Sequence, residues 1–208
     1  FELARLKLED TVLIQAAAGG VGSMAVKLAK AHGNIVYGTA GSDEKIDLLN
    51  KLGIDLGINY RTNDFEQVIL NQTGKGVDVV LEMVGGDVFK KSLNLLNPFG
   101  RIMVMGFASL DLKKWNPMSW WKTWHDAPGM KLKQMAENSH CMMASHLGYL
   151  LPNKDLLLST WGRFSDFVNQ HQIKPVIGHV LDFDQLPEAH ALMESRASKG
   201  KIVLKLSS

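Results

Sequence analysis

Cysteine is almost missing from this 208-residue chain, Cys141 being the single one, which excludes an internal disulfide framework and a cysteine-rich zinc knuckle. Such scarcity fits a reducing compartment, so the address it predicts is cytoplasmic, and Cys141 reads as a small core residue. An excess of one charge is lacking too. Lys and Arg number 23 against 21 Asp and Glu, a formal net charge of +2. With the signs interspersed, no field argues for nucleic acid or an anionic membrane, and a small soluble molecule is the default partner. Apolar runs fall far short of the roughly 20 residues that span a bilayer, and no charged segment followed by an apolar run and a cleavage site opens the chain. Nor does it begin with Met: the opening Phe1 to Leu6 reads as the last turn or two of a helix, as in a piece of a longer protein.

What is present is an ordinary globular composition, 46% hydrophobic and 21% charged, enough for one large domain. From Thr11 short apolar runs alternate with helix-period stretches, the pattern of a parallel sheet covered by helices on both faces. The spacing predicts strands over Thr11–Ala16, Asn34–Thr39, Leu56–Tyr60, Val77–Met83 and Arg101–Met105. Helices fall between them, from Gly20 to His32, Ser42 to Leu52, Asp64 to Gln72 and Asp87 to Leu96, and Asn97-Pro98-Phe99-Gly100 reads as a turn. Past Gly106 the rhythm breaks over about 107–139 in a Trp-rich, Lys-rich stretch that predicts one amphipathic helix around Met118, Trp121 and Trp124. Regularity returns with a strand at His140–Ser145, a helix from Asn153 to Gln170, a strand at Val176–Leu181, a helix from Gln185 to Glu194 and a last strand, Lys201–Leu206.

The first strand runs straight into Ala16-Ala17-Ala18-Gly19-Gly20-Val21-Gly22 and then a helix. That context is what a pyrophosphate needs: one glycine admits the phosphates to the backbone, the last lets helix and strand pack closely, and the helix N-terminus offers unpaired N–H groups. The fold class is therefore α/β, a doubly wound parallel sheet of the Rossmann type. Sites that prefer NAD place an acid at the end of the second strand to hold the ribose 2′-hydroxyl. Here that place reads Thr39-Ala40-Gly41-Ser42, with Asp43 and Glu44 one step too far, and Ser42 and Lys45 are placed to hold a 2′-phosphate instead. The bland alternative is a solvated helix lysine. The seven histidines have no HExxH or cysteine-rich spacing, so no metal site is expected.

Gln15 to Gly22, Gly38-Thr39-Ala40-Gly41-Ser42, Ile58-Asn59-Tyr60-Arg61, Gly76 to Val80 and Glu194 to Lys201 together resemble the quinone oxidoreductase branch of the medium-chain dehydrogenase/reductases. Trp120-Trp121, Met135 to Asn138 and His146 to Leu150 look like the VAT-1-like members of that branch. The resemblance implies an NADPH site. Gly19, Gly20, Val21 and Gly22 would hold the pyrophosphate, while Gly41, Ser42, Lys45 and Tyr60 would surround the 2′-phosphate. Arg196 matches a cofactor-binding arginine, and Met83, Val84, Gly106, Phe107 and Ala108 would line the nicotinamide through their backbone.

The same resemblance implies hydride transfer from NADPH to a quinone or an α,β-unsaturated carbonyl, no residue here needing to be a general acid. It implies a homodimer, and a substrate pocket shared with an N-terminal GroES-like domain that these residues do not include. Residues 176–208 would contact that domain, and the chain alone would bind cofactor and turn over poorly or not at all. Two alternatives stay open: a zinc-dependent alcohol dehydrogenase of the same superfamily, and a VAT-1-like NADPH-binding protein with little turnover.

Overall fold

A computed structural model describes residues 1–106 and 129–206. The expected amphipathic helix around Met118, Trp121 and Trp124, like Phe107 and Ala108, lies outside the described residues.

Among the described residues six strands form one parallel sheet: β1 (Thr11–Ile14), β2 (Ile35–Ala40), β3 (Leu56–Asn59), β4 (Val77–Glu82), β5 (Leu96–Val104) and β6 (Cys141–Ala144). Their order, β3-β2-β1-β4-β5-β6, reverses between β1 and β4. Reversal opens a crevice at the carboxyl ends of these two strands, the place where such sheets bind dinucleotides. Side chains alternate between faces along each strand, so each face has its own core. Leu13 of β1 packs with Phe65 and Ile69 of α3 (Phe65–Thr73) and Phe89 and Leu93 of α4 (Gly86–Asn94). Its neighbours Val12 and Ile14 pack on the other face, with Val26 and Ala29 of α1 (Gly22–His32) and Leu49 of α2 (Asp43–Lys51). The sheet is thus doubly wound.

Local chemistry sets where these helices begin and end. Ser42 accepts the backbone N–H of Lys45 at 3.4 Å and Asp64 that of Glu66 at 3.1 Å, each satisfying a donor that a helix start leaves open. Gly33 closes α1 in the left-handed region, at φ 95°. Val26 fixes α1 to the sheet and is fully buried. Val26→Ala should cost about 2 kcal/mol of stability, read as a lower urea midpoint; an unchanged midpoint would show that this contact does not hold the helix.

Several expectations need correction. Asn97 to Gly100 is not a turn between elements but part of β5: Val77 pairs with Leu96 and Val79 with Arg101, so the extra residues bulge, with Phe99 at φ 63°. Turn-forming residues gave an irregularity inside a strand because Gly76 and Val77 bond Asn97 and Leu95 from the adjacent strand. Strand β1 stops at Ile14 rather than Ala16, because Ala16 turns to φ 49°. Cys141 is exposed and not a core residue: it is the first residue of β6, which among the described residues is an edge strand paired with β5 alone. The stretch expected to be irregular holds α5 (Leu132–Asn138), and a short α6 (Leu147–Leu150) precedes α7 (Lys154–Gln170). The opening residues make one turn, Arg5 N–H donating to Phe1 O at 2.8 Å.

The C-terminal strands stand apart. β7 (Ile177–Asp182) and β8 (Lys201–Lys205), linked through α8 (Leu186–Glu194), form a separate two-stranded parallel sheet. Just before β8, Gly200 donates its N–H to Ala18 O at 2.8 Å and bridges to Gly19, which seats this unit on the turn after β1.

Candidate functional site

The carboxyl ends of β2, β1, β4 and β5 lie side by side, and every predicted site residue among those described, Arg196 apart, sits on the loop that follows one of them or β3, or on the first turn of the helix after it. After β1 the chain makes a sharp turn held by Gly19 N–H to Ala16 O at 3.1 Å and Ala17 N–H to Thr39 O at 2.8 Å. Gly22 opens α1 so close beneath the turn that a Cβ there would stand 2.5 Å from Ala16 O and 2.6 Å from Ala17 Cα. The side chain of Val21 is 51% exposed, so the mouth of the turn is open. A helix N-terminus bare of side chains attracts an anion through its free N–H groups and dipole. Lys201 reaches the same place: its Nζ lies 3.6 Å from where a Cβ on Gly20 would be.

Beyond β2, a Cβ on Gly41 would stand 2.6 Å from the Tyr60 hydroxyl and 3.4 Å from Arg61 Nε, so two loops close here around a glycine. Lys45, on the first turn of α2, donates from Nζ to Arg196 O at 2.7 Å, which brings the C-terminal arginine into the cluster through its backbone. Burial and then the positive charges of Arg61 and Lys199 hold the Lys45 ammonium below the ordinary lysine range, Glu44 opposing them. The acids nearby are engaged. Asp43 accepts from Asn59 Nδ2 at 2.7 Å, and Glu44 is ion-paired with Lys199, which holds its carboxyl below the usual range. Positive charge with hydroxyls from Ser42 and Tyr60 is a set of donors for a dianion.

A third group sits across the reversal point. Met83 and Val84 follow β4, and Gly106 follows β5 with its Cβ direction 3.7 Å from Met83 O. Met105 N–H donates to Glu82 O at 2.9 Å, tying these two loops together. The structure therefore gathers the predicted residues into three neighbouring sets, over β2, β1 and β4–β5. Elsewhere, a cleft of about 440 Å³ lined by Leu93, Pro98, Gln134 and His140 lies at the amino ends of β5 and β6, the wrong end of the sheet for a dinucleotide.

Reading the sequence did not single out Arg61, Lys199 or Lys201 as site residues. Arg61 had a usable signal, since the loop after β3 must pass the end of β2 when the two strands are paired. The two lysines had none, being about 150 residues or more from the groups they approach.

The model of the family described as zinc-binding dehydrogenase matches residues 20–137. The chain belongs to the zinc-binding dehydrogenases. Relatives of this dehydrogenase chain include the human synaptic vesicle membrane protein VAT-1 homolog, 34% identical over 98% of the chain and 52% of the relative. Mouse prostaglandin reductase-3 is 45% identical over 52% of the chain and 29% of its own length. The chain thus spans about half the length of the VAT-1 homologs it matches from end to end. Among solved structures, the quinone oxidoreductase from Thermus thermophilus, also crystallised with NADPH, superposes with a TM-score of 0.77 at 28% identity, covering 99% of this chain and 60% of that one. Despite the family's name, no three His, Cys, Asp or Glu among the described residues gather closely enough to hold a metal ion. No helix among them is long and apolar enough to cross a membrane.

Proposed function

We propose that this chain is the NADPH-binding half of a reductase that delivers hydride to a quinone or an α,β-unsaturated carbonyl. The observation that carries the reading is the cation cluster beyond β2, where Lys45 and Arg61 stand with Ser42 and Tyr60 while Asp43 and Glu44 are held by other partners. An acid free to accept the ribose hydroxyl would mark NAD; cations and hydroxyls gathered where no such acid is free mark the 2′-phosphate.

Gly19, Gly20, Val21 and Gly22 then receive the pyrophosphate on the N-terminus of α1, with Lys201 as a neighbouring cation. Gly41, Ser42, Lys45 and Tyr60 surround the 2′-phosphate, Arg61 adds a guanidinium, and Arg196 closes the cluster from the C-terminal side. Met83, Val84 and Gly106 flank the nicotinamide; Phe107 and Ala108, assigned to the same place by resemblance, lie outside the described residues. When bound, the nicotinamide supplies the hydride; this chain's part is to orient it and keep water away. No described group is needed as a general acid. The substrate wall and the dimer contact belong to the whole protein, and the quinone or enone pocket is shared with the N-terminal domain of the family.

Titration of the chain with NADPH and NADH tests the cofactor: NADPH should bind at least tenfold more tightly, and equal or tighter NADH binding would overturn the reading. The VAT-1 homolog likeness, running along 98% of the chain, supports a second reading, a cofactor-binding protein with little turnover. A full-length protein that binds NADPH and reduces neither quinones nor enones would decide for it.

A further inference from the structure

Four polar side chains, Gln15, Thr39, Glu82 and Ser92, are at most 1% exposed and form one continuous chain beneath the site. Ala16 N–H donates to Thr39 Oγ1 at 3.3 Å, and Thr39 Oγ1 donates to Gln15 Oε1 at 2.6 Å. Gln15 Nε2 donates to Ser92 Oγ at 3.0 Å, and Ser92 Oγ donates to Glu82 Oε2 at 3.2 Å. The other carboxylate oxygen, Glu82 Oε1, accepts the backbone N–H of Val84 at 2.6 Å and of Gly85 at 2.9 Å. From Ala16 onward every donor points toward Glu82, so the carboxylate polarises the whole row.

A core of this size gains nothing in stability from four buried polar side chains that apolar residues could replace. A carboxylate costs most of all: burial pushes Glu82 up from the ordinary range despite the N–H and hydroxyl groups it accepts. What the row does is geometric. It starts at Ala16, the strained residue of the phosphate turn, passes through Thr39 one residue before Ala40-Gly41, and ends on the backbone of the loop that carries Met83 and Val84. It crosses β2, β1 and β4, the strands on either side of the reversal point, and α4 supplies the joining hydroxyl through Ser92.

We propose that Thr39, Gln15, Ser92 and Glu82 are positioning residues that lock the phosphate turn and the loop after β4 into one register, so that a cofactor held at one end is aligned at the other. Their relevance to NADPH rests on the function proposed above, but the coupling between the loops does not. Each side chain is internal to the row, and removing any one leaves at least two of its partners without that bond, which loosens both ends rather than one.

Amide hydrogen exchange on the intact chain reads this without a ligand, normalised to Leu13 N–H in the central strand as a monitor of global opening. Thr39→Val, nearly isosteric but without the hydroxyl, should speed exchange at Val84 and Gly85 about tenfold, although Thr39 touches neither. Ser92→Ala should do the same at Ala16, and Thr39→Ser, which keeps the hydroxyl, should stay within about twofold of the parent. NADPH affinity should fall about tenfold in Thr39→Val and Ser92→Ala and be retained in Thr39→Ser. If each variant disturbs only the amides next to its own side chain, the positioning role is overturned whatever the affinities. If the parent chain binds no NADPH while the distant exchange effects appear, the cofactor reading falls and the coupling stands. Exchange effects without any loss of NADPH affinity would overturn the alignment of cofactor by the row.

Discussion

Gly22→Ala is expected to lower NADPH affinity about a hundredfold, the consequence of roughly 3 kcal/mol of steric conflict beneath the phosphate turn. The added Cβ would stand 2.5 Å from Ala16 O, 2.6 Å from Ala17 Cα and 2.7 Å from Ala17 O. All three are backbone atoms of a turn already committed to φ 49° at Ala16 and pinned by Ala17 N–H to Thr39 O. No side chain can rotate away, so α1 must lift from β1, carrying off the N–H groups that receive the pyrophosphate. Neighbouring glycines make the comparison sharp. A Cβ on Gly19 meets nothing nearer than 3.4 Å, and one on Gly20 meets Gly200 O at 3.3 Å. Gly19→Ala should therefore bind within about threefold of the parent, with Gly20→Ala intermediate. Calorimetric titration of the three variants, with urea midpoints alongside, separates lost binding from lost fold. Parent-like affinity in Gly22→Ala would mean that the turn does not need this close approach.

The same residues mark how far the sequence could be read. Strand positions along the chain, helix limits and the phosphate turn were legible because they rest on local chemistry: glycines where the chain turns or crowds, Ser42 and Asp64 as caps, and near-continuous apolar runs for buried strands. The bulge at Asn97 to Gly100 was not legible, since Asn, Pro and Gly signal a change of direction without saying whether a strand ends or only kinks. Exposure at Cys141 depends on β6 being the edge of the sheet, which no local pattern states. The row from Thr39 to Glu82 was invisible for a different reason. Its members lie between 10 and 77 residues apart along the chain, and each alone reads as an ordinary polar residue at the end of a strand or on a helix.

The cations beyond β2 supply the remaining large effect. A charge-assisted hydrogen bond to a phosphate contributes about 1.5–3 kcal/mol, so Lys45→Met should weaken NADPH roughly 10- to 100-fold and leave NADH within about twofold. Arg61→Gln should act in the same direction, and the double variant should remove the preference for NADPH. Lys45 differs from a solvated helix lysine in its surroundings. Its ammonium is partly buried, held near Arg61 and Lys199, and donates to Arg196 O at 2.7 Å, so like charges crowd it in the absence of an anion. A 2′-phosphate relieves that crowding, and binding should raise the Lys45 pKa and take up protons where the free group is partly deprotonated. The affinity gap between NADPH and NADH should accordingly narrow as pH rises through the depressed Lys45 range. Salt should narrow it as well, because groups about half-exposed, such as Tyr60, leave the cluster open to counterions. If Lys45→Met weakens NADPH and NADH equally, the lysine serves the fold of the loop rather than the phosphate, and the assignment of this cluster to the 2′-position fails.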